Sequence, residues 1–147
     1  MNATTPQLPA TAHTFAQRLS STRRGARLAR LLAAEHLRAW PVPPGVTERA
    51  EQIVAELAAN AALHGRVDGR DFKLALALVA TTGTLHIAVT DARGEQLPCL
   101  SMDFEAPPDS ESGRGLLLVA ALADRWGVEP YPPSGKIVWA ELDVEGR

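Results

Sequence analysis

Glu56 and Asn60 are the polar pair whose spacing in this sequence asks for chemistry. They stand four residues apart in Ala50–Arg66, AEQIVAELAANAALHGR, which reads as an amphipathic helix. At that spacing two side chains leave nearly the same side of a helix, one turn apart. Ala50, Ile53, Val54, Leu57 and Ala61 form an apolar stripe beside them, which puts the pair at the margin of a buried face. A carboxamide oxygen is a neutral ligand for a hard cation, and a carboxylate one turn away can orient or deprotonate a nucleophile. Together they suit a magnesium–phosphate site. Two solvated polar residues on an ordinary surface helix satisfy the same spacing, so the pair by itself leaves both readings open.

Two further stretches hold candidate residues. Asp91 falls at the end of an apolar run, Leu85–Asp91, a common place for a site acid and a still commoner one for a turn-capping acid. Ser112-Gly113-Arg114-Gly115 precedes an apolar segment, Leu116–Asp124. Glycines just before a helix let backbone N–H groups come close to a phosphate. The chain has neither a Walker sequence nor a Gly-x-Gly-x-x-Gly, which argues against P-loop and dinucleotide chemistry. His64 near the end of its helix complements the helix dipole and has no second ligand at metal-binding spacing.

The elements that must position these residues can be read in order. Met1–His13, rich in Thr, Pro and Ala, reads as a tail, leaving residues 14–147 as one domain. Thr14–Ser20 alternates as a strand with Phe15, Gln17 and Leu19 on one face. Ser21 or Thr22 is placed to cap a helix reaching about Trp40, with Ala26, Leu28, Leu31, Leu32 and Leu37 as its apolar stripe. Its arginines form a solvated or partner-binding face. Prolines 41, 43 and 44 with Gly45 make a loop, and Thr47 is placed to cap the Glu56 helix, with Glu48 and Glu51 in its first turn and Gly65 after its end. Phe72–Ala80 and Leu85–Asp91 form a hairpin about Thr82–Gly83. A long irregular segment, Ala92–Ser112, has the length of a functional lid. The helix after it gives way to a short strand at Gly127–Glu129, a proline-rich turn, and a last strand at Lys136–Leu142. This order is that of an α+β fold, a two-layer sandwich whose mostly antiparallel sheet carries helices on one face.

Composition narrows the function classes. A net charge of -2 gives no electrostatic footprint for nucleic acid. No apolar run spans a bilayer, and the N-terminus has no signal-peptide pattern. Cys99 is the single cysteine, so no internal disulfide or cysteine-based zinc site can form. A cytoplasmic protein is the expectation.

Taken together and in order, these pieces resemble one family. Glu56-Leu-Ala-Ala-Asn60-Ala-Ala-Leu-His64-Gly65 resembles the Asn-containing helix box of the GHKL (histidine kinase-like) ATPases. Asp91 resembles their adenine-reading Asp, and Gly113-Arg114-Gly115-Leu116 resembles the glycine box that follows the ATP lid. The small size, the Asn-Ala-x-x-His-Gly ending and the strand Gly135-Lys136-Ile137-Val138-Trp139-Ala140 are similar to the anti-sigma factor serine-protein kinases. The resemblance implies an ATP-binding sandwich with a mixed, largely antiparallel sheet. It implies that Asn60 binds the Mg2+ bridging the triphosphate and that Glu56 is the base for an attacking hydroxyl. Asp91 would accept from the adenine amino group, while Gly113, Arg114, Gly115 and Leu116 would hold phosphates. The implied partners are a sigma factor and an anti-sigma factor antagonist, with a homodimer in keeping with relatives. One departure stands out: Asp91-Ala92-Arg93-Gly94-Glu95 replaces the family's Asp-x-Gly-x-Gly, so Gly94, the nucleotide-contacting glycine expected there, is out of register. Three expectations follow: a serine/threonine-protein kinase acting in transcription regulation, an ATP-dependent partner-capture module without turnover, or a structural domain without nucleotide.

Overall fold

The computed structural model describes residues 11–63, 70–91, 111–133 and 135–144. Eight elements follow in order: β1 (Thr11–Ser20), α1 (Arg23–Ala39), α2 (Pro44–Leu63), β2 (Asp71–Val79), β3 (Thr84–Asp91), α3 (Glu111–Leu122), β4 (Arg125–Tyr131) and β5 (Gly135–Asp143). The strands form one five-stranded sheet in the order β1-β2-β3-β5-β4. All four pairings are antiparallel, so the mixed sheet implied by the resemblance is, among the described residues, purely antiparallel. Both expected hairpins, β2–β3 and β4–β5, are present.

Strand alternation makes the two layers. Phe72, Leu74 and Leu76 of β2, Ile87 and Val89 of β3, and Val138 and Ala140 of β5 are buried in one core with residues of all three helices. The intervening positions, such as Ala75, Ala88 and Trp139, are only half-buried on the opposite face. β1 begins at Thr11, inside the stretch expected as tail, because residues 11–19 continue the ladder along β2 from Val79 to Phe72. Gln17 shares the face of Leu74 yet is exposed, the position that interrupted the pattern in sequence.

The helices differ from expectation in instructive ways. Thr22 does cap α1, its Oγ1 accepting from the Gly25 N–H at 3.0 Å. The buried side of α1, however, is Gly25, Ala29, Ala33 and Leu37, while Leu28 and Leu31 are 44% and 59% exposed. Close approach to the end of β1 selects size over hydrophobicity, since a Cβ at Gly25 would collide with the Ser20 carbonyl oxygen. α2 starts at Pro44, one turn earlier than the Thr47 cap. The Thr47 N–H already donates to the Pro43 carbonyl at 2.9 Å, and Pro44 occupies the first helical position, where its fixed φ and missing N–H cost nothing. Thr47 is buried, and Glu48 and Glu51 fall beyond the first turn. α3 starts at Glu111 and ends at Leu122, and β4 runs Arg125–Tyr131, longer than the three residues expected.

Candidate functional site

α2 is the central helix, packed between α1 and α3 over the sheet. Its buried residues, among them Ile53, Val54, Leu57, Ala58 and Ala61, take up about half of its circumference, and alanines let its neighbours close in. Glu56 and Asn60 lie on what remains and are both half-buried. Two contacts fix α2 laterally. Arg49 donates to the Leu122 carbonyl from Nε at 3.1 Å and Nη2 at 2.7 Å, so a guanidinium of α2 satisfies the C-terminal carbonyl of α3. Arg38 of α1 pairs with Glu51 at 3.2 Å. Sequence reasoning missed Arg49, whose partner is 73 positions away and leaves no local signal.

Glu56 opens onto a groove of about 550 Å³ between α1 and α2, lined also by Arg30, Glu48, Glu51, Gln52 and Ala55. Three carboxylates face one guanidinium there. Such a groove repels a bare polyphosphate and suits a neutral hydroxyl or a cationic approach.

Asp91 closes β3 on the helix-bearing face, in step with Ile87 and Val89, and is buried. Its carboxylate is engaged: Lys136 Nζ donates to Oδ2 at 2.8 Å and Oδ1 at 3.1 Å. The two side chains are 5% and 4% exposed and sit opposite one another in the β3–β5 register. Gly135 makes that register possible, because a Cβ there would collide with the Asp91 carbonyl oxygen. A cleft of about 150 Å³ at this end of the sheet is lined by Asp91, Thr90, Gly135, Tyr131, Arg18 and Arg70. The resemblance assigned Asp91 a role and noted no partner for it.

Gly113, Arg114 and Gly115 are residues of α3 itself and not of a loop before it. With the helix starting at Glu111, the N–H groups of its first three residues, 111–113, lack an intrahelical acceptor. Gly113 keeps a backbone donor for a phosphate, and the N–H groups of Arg114 and Gly115 turn into the helix. Leu116 is 1% exposed in the core, so its side chain packs under the helix. α2, α3 and the Asp91 side chain thus share one side of the sheet. Gly94, His64 and Gly65 lie outside the described residues. Among the described residues no cluster of three or more His, Cys, Asp or Glu could hold a metal ion. A magnesium ion at Asn60 would take most of its ligands from phosphates and water, its usual habit, so the donor set fits that ion only together with a nucleotide.

A family model described as the histidine kinase-like ATPase domain matches residues 19–142. The chain belongs to this family. An ATPase domain implies ATP as its ligand, and the fold agrees with solved structures. One is that of the RsbU and RsbW domains of Rv1364c from Mycobacterium tuberculosis, at 17% identity and a TM-score of 0.68, over 92% of this chain. This chain spans only 34% of that one. Another is the SiaB–SiaC complex from Pseudomonas aeruginosa, at 12% identity and a TM-score of 0.61, covering 87% of this chain and 88% of that one. At these identities the likeness is one of fold. No curated protein matches the sequence. Among the described residues, no helix of the ATPase domain is long and apolar enough to cross a membrane.

Proposed function

We propose that this ATPase domain is a serine/threonine-protein kinase of the anti-sigma factor type, which captures a sigma factor and transfers the ATP γ-phosphate to an anti-sigma factor antagonist. What supports the reading is that Glu56 and Asn60 stand one turn apart and half-buried on α2, with Glu56 at the α1–α2 groove. A protein hydroxyl entering the groove meets Glu56, whose carboxylate can take its proton as the oxygen bonds to the γ-phosphorus and ADP leaves. Asn60 supplies a neutral oxygen for Mg2+. The start of α3 supplies backbone N–H groups for phosphate oxygens, with Arg114 adding charge. Asp91 and Lys136 stand at the base end. Magnesium, when bound, neutralises charge on the triphosphate.

The test is transfer of label from ATP, with magnesium, to a candidate antagonist. Wild type should label it, and Glu56→Ala should do so about a hundredfold more slowly or less, the usual contribution of a positioned base. Equal rates for the two proteins would remove Glu56 from the mechanism. A second reading, an ATP-dependent binding module without turnover, is favoured by the buried ion pair at Asp91, which departs from a simple adenine acceptor. It predicts nucleotide-dependent partner binding that survives Glu56→Gln.

A further inference from the structure

Arg18 of β1 stands directly opposite Lys73 of β2, and Lys73 stands opposite Thr90 of β3. All three alternate with buried residues, Leu19, Phe72, Leu74 and Val89 among them, so this row lies on the sheet face away from the helices. Like charges directly across an antiparallel pair lower stability. Asp71 shares the face, opposite Ser20, yet among the described residues no ion pair engages Arg18, Lys73, the neighbouring Arg70 or Asp71 itself. Charge on an edge strand discourages pairing with a further strand, which accounts for Arg18 on β1. It does not account for Lys73, whose strand lies inside the sheet. The cations also converge. Arg18, Arg70 and Lys73 line one cleft of about 150 Å³ with the hydroxyl-bearing Thr90 and Tyr131, bordered by the turn from β4 to β5.

We propose that this cleft is an anion site for a phosphomonoester dianion, independent of the proposed nucleotide site because its cationic row stands on the face away from α2 and α3. The volume is below the roughly 300–1,000 Å³ of pockets that enclose a whole small molecule, and it suits a single head group. Two guanidinium forks match phosphate oxygens, the ammonium adds a point charge, and the hydroxyls of Thr90 and Tyr131 are further donors. Asp91 also borders the cleft, but its carboxylate is already met by Lys136. Three cations against the single carboxylate of Asp71 leave two positive charges. A phosphomonoester carries about two negative charges at neutral pH, and a lone carboxylate carries one. Once the dianion is seated, Arg18 and Lys73 share an attraction in place of their mutual repulsion. The head group comes from a phosphorylated protein side chain or from free phosphate, and the recognising chemistry is the same.

Calorimetric titration of the wild-type chain tests this, with three probes: inorganic phosphate, a peptide bearing one phosphoserine, and the same peptide without its phosphate. Wild type should bind one or both phosphate-bearing probes saturably, about tenfold or more tighter than Lys73→Gln or Arg18→Gln does, the worth of one hydrogen bond to a charged group. Preference for the phosphopeptide assigns the head group to a protein side chain, and equal or better binding of inorganic phosphate assigns it to the free ion; either supports the site. No saturable binding by wild type, or equal binding of the unphosphorylated peptide, overturns it. Binding kept by Lys73→Gln and lost in Asn60→Ala places the phosphate at the proposed nucleotide site and also overturns it. In phosphate-free buffer Lys73→Gln should have a urea midpoint no lower than that of wild type, because it relieves the repulsion with Arg18. A lower midpoint would show that Lys73 serves the fold and would overturn its assignment.

Discussion

Glu141 shows how strongly single side chains are committed on the sheet face away from the helices. Burial pushes its carboxyl up, but hydrogen bonds from Arg125 and His86 outweigh that and hold it below the ordinary carboxylate range. Arg125 Nε lies 3.0 Å from Oε1 and His86 Nδ1 3.0 Å from Oε2, while Arg125 also reaches Asp143 at 2.6 Å. A depressed folded value contributes stability that is complete above the unfolded value and is lost as pH falls through the folded one. The wild-type chain should therefore lose stability as pH drops below the ordinary carboxylate range. Glu141→Gln should show a shallower loss over the same range in urea-unfolding midpoints at a series of acidic pH values. Identical slopes would mean that the network adds nothing to folding. At this scale the sequence was half legible. Glu56, Asn60 and Asp91 stand out by type and spacing, but the Lys136 that engages Asp91 is 45 positions away, and only strand register brings the two together.

Elements were legible where one rule dominated and less so where two competed. The strands of the β2–β3 hairpin came within a residue of their observed ends because alternation and turn chemistry agree there. In α1 hydrophobicity pointed to Leu28 and Leu31, and packing distance chose Gly25, Ala29 and Ala33 instead. That conflict makes a sharp prediction. At an open helix position Gly→Ala stabilises by about 1 kcal/mol. Gly25→Ala should do the opposite and destabilise by about 1–3 kcal/mol, the range for forcing extra volume into a packed contact, read as a lower denaturant midpoint. A raised midpoint would show that α1 can shift away from Ser20 without loss. The starts of α2 and α3 were misjudged for a related reason. A proline pair and two glycines read as loop in sequence, yet Pro44 suits a first helical position, and two glycines did not stop α3 from beginning at Glu111.

Over the whole molecule the two-layer plan sets where the residues of the proposed site stand. The sheet fixes Asp91 at one strand end; α2 crosses it with Glu56 and Asn60 half-buried; α3 packs against α2. Arg49 ties α2 to α3 at the C-terminal end of α3, so the spacing of the two helices is set by contacts outside the site. The fold class was legible because periodicity and chain order suffice for it, whereas the distances across the site depend on long-range packing that a single sequence does not display. The proposed function depends on a nucleotide being held at Asn60 through a magnesium ion. Titration of Mg·ATP into wild type and Asn60→Ala, followed by calorimetry, tests that most directly. Saturable binding by wild type, weakened about ten- to hundredfold in a folded Asn60→Ala protein, is the predicted result, and absence of binding by wild type, or equal affinity in the two, would contradict it.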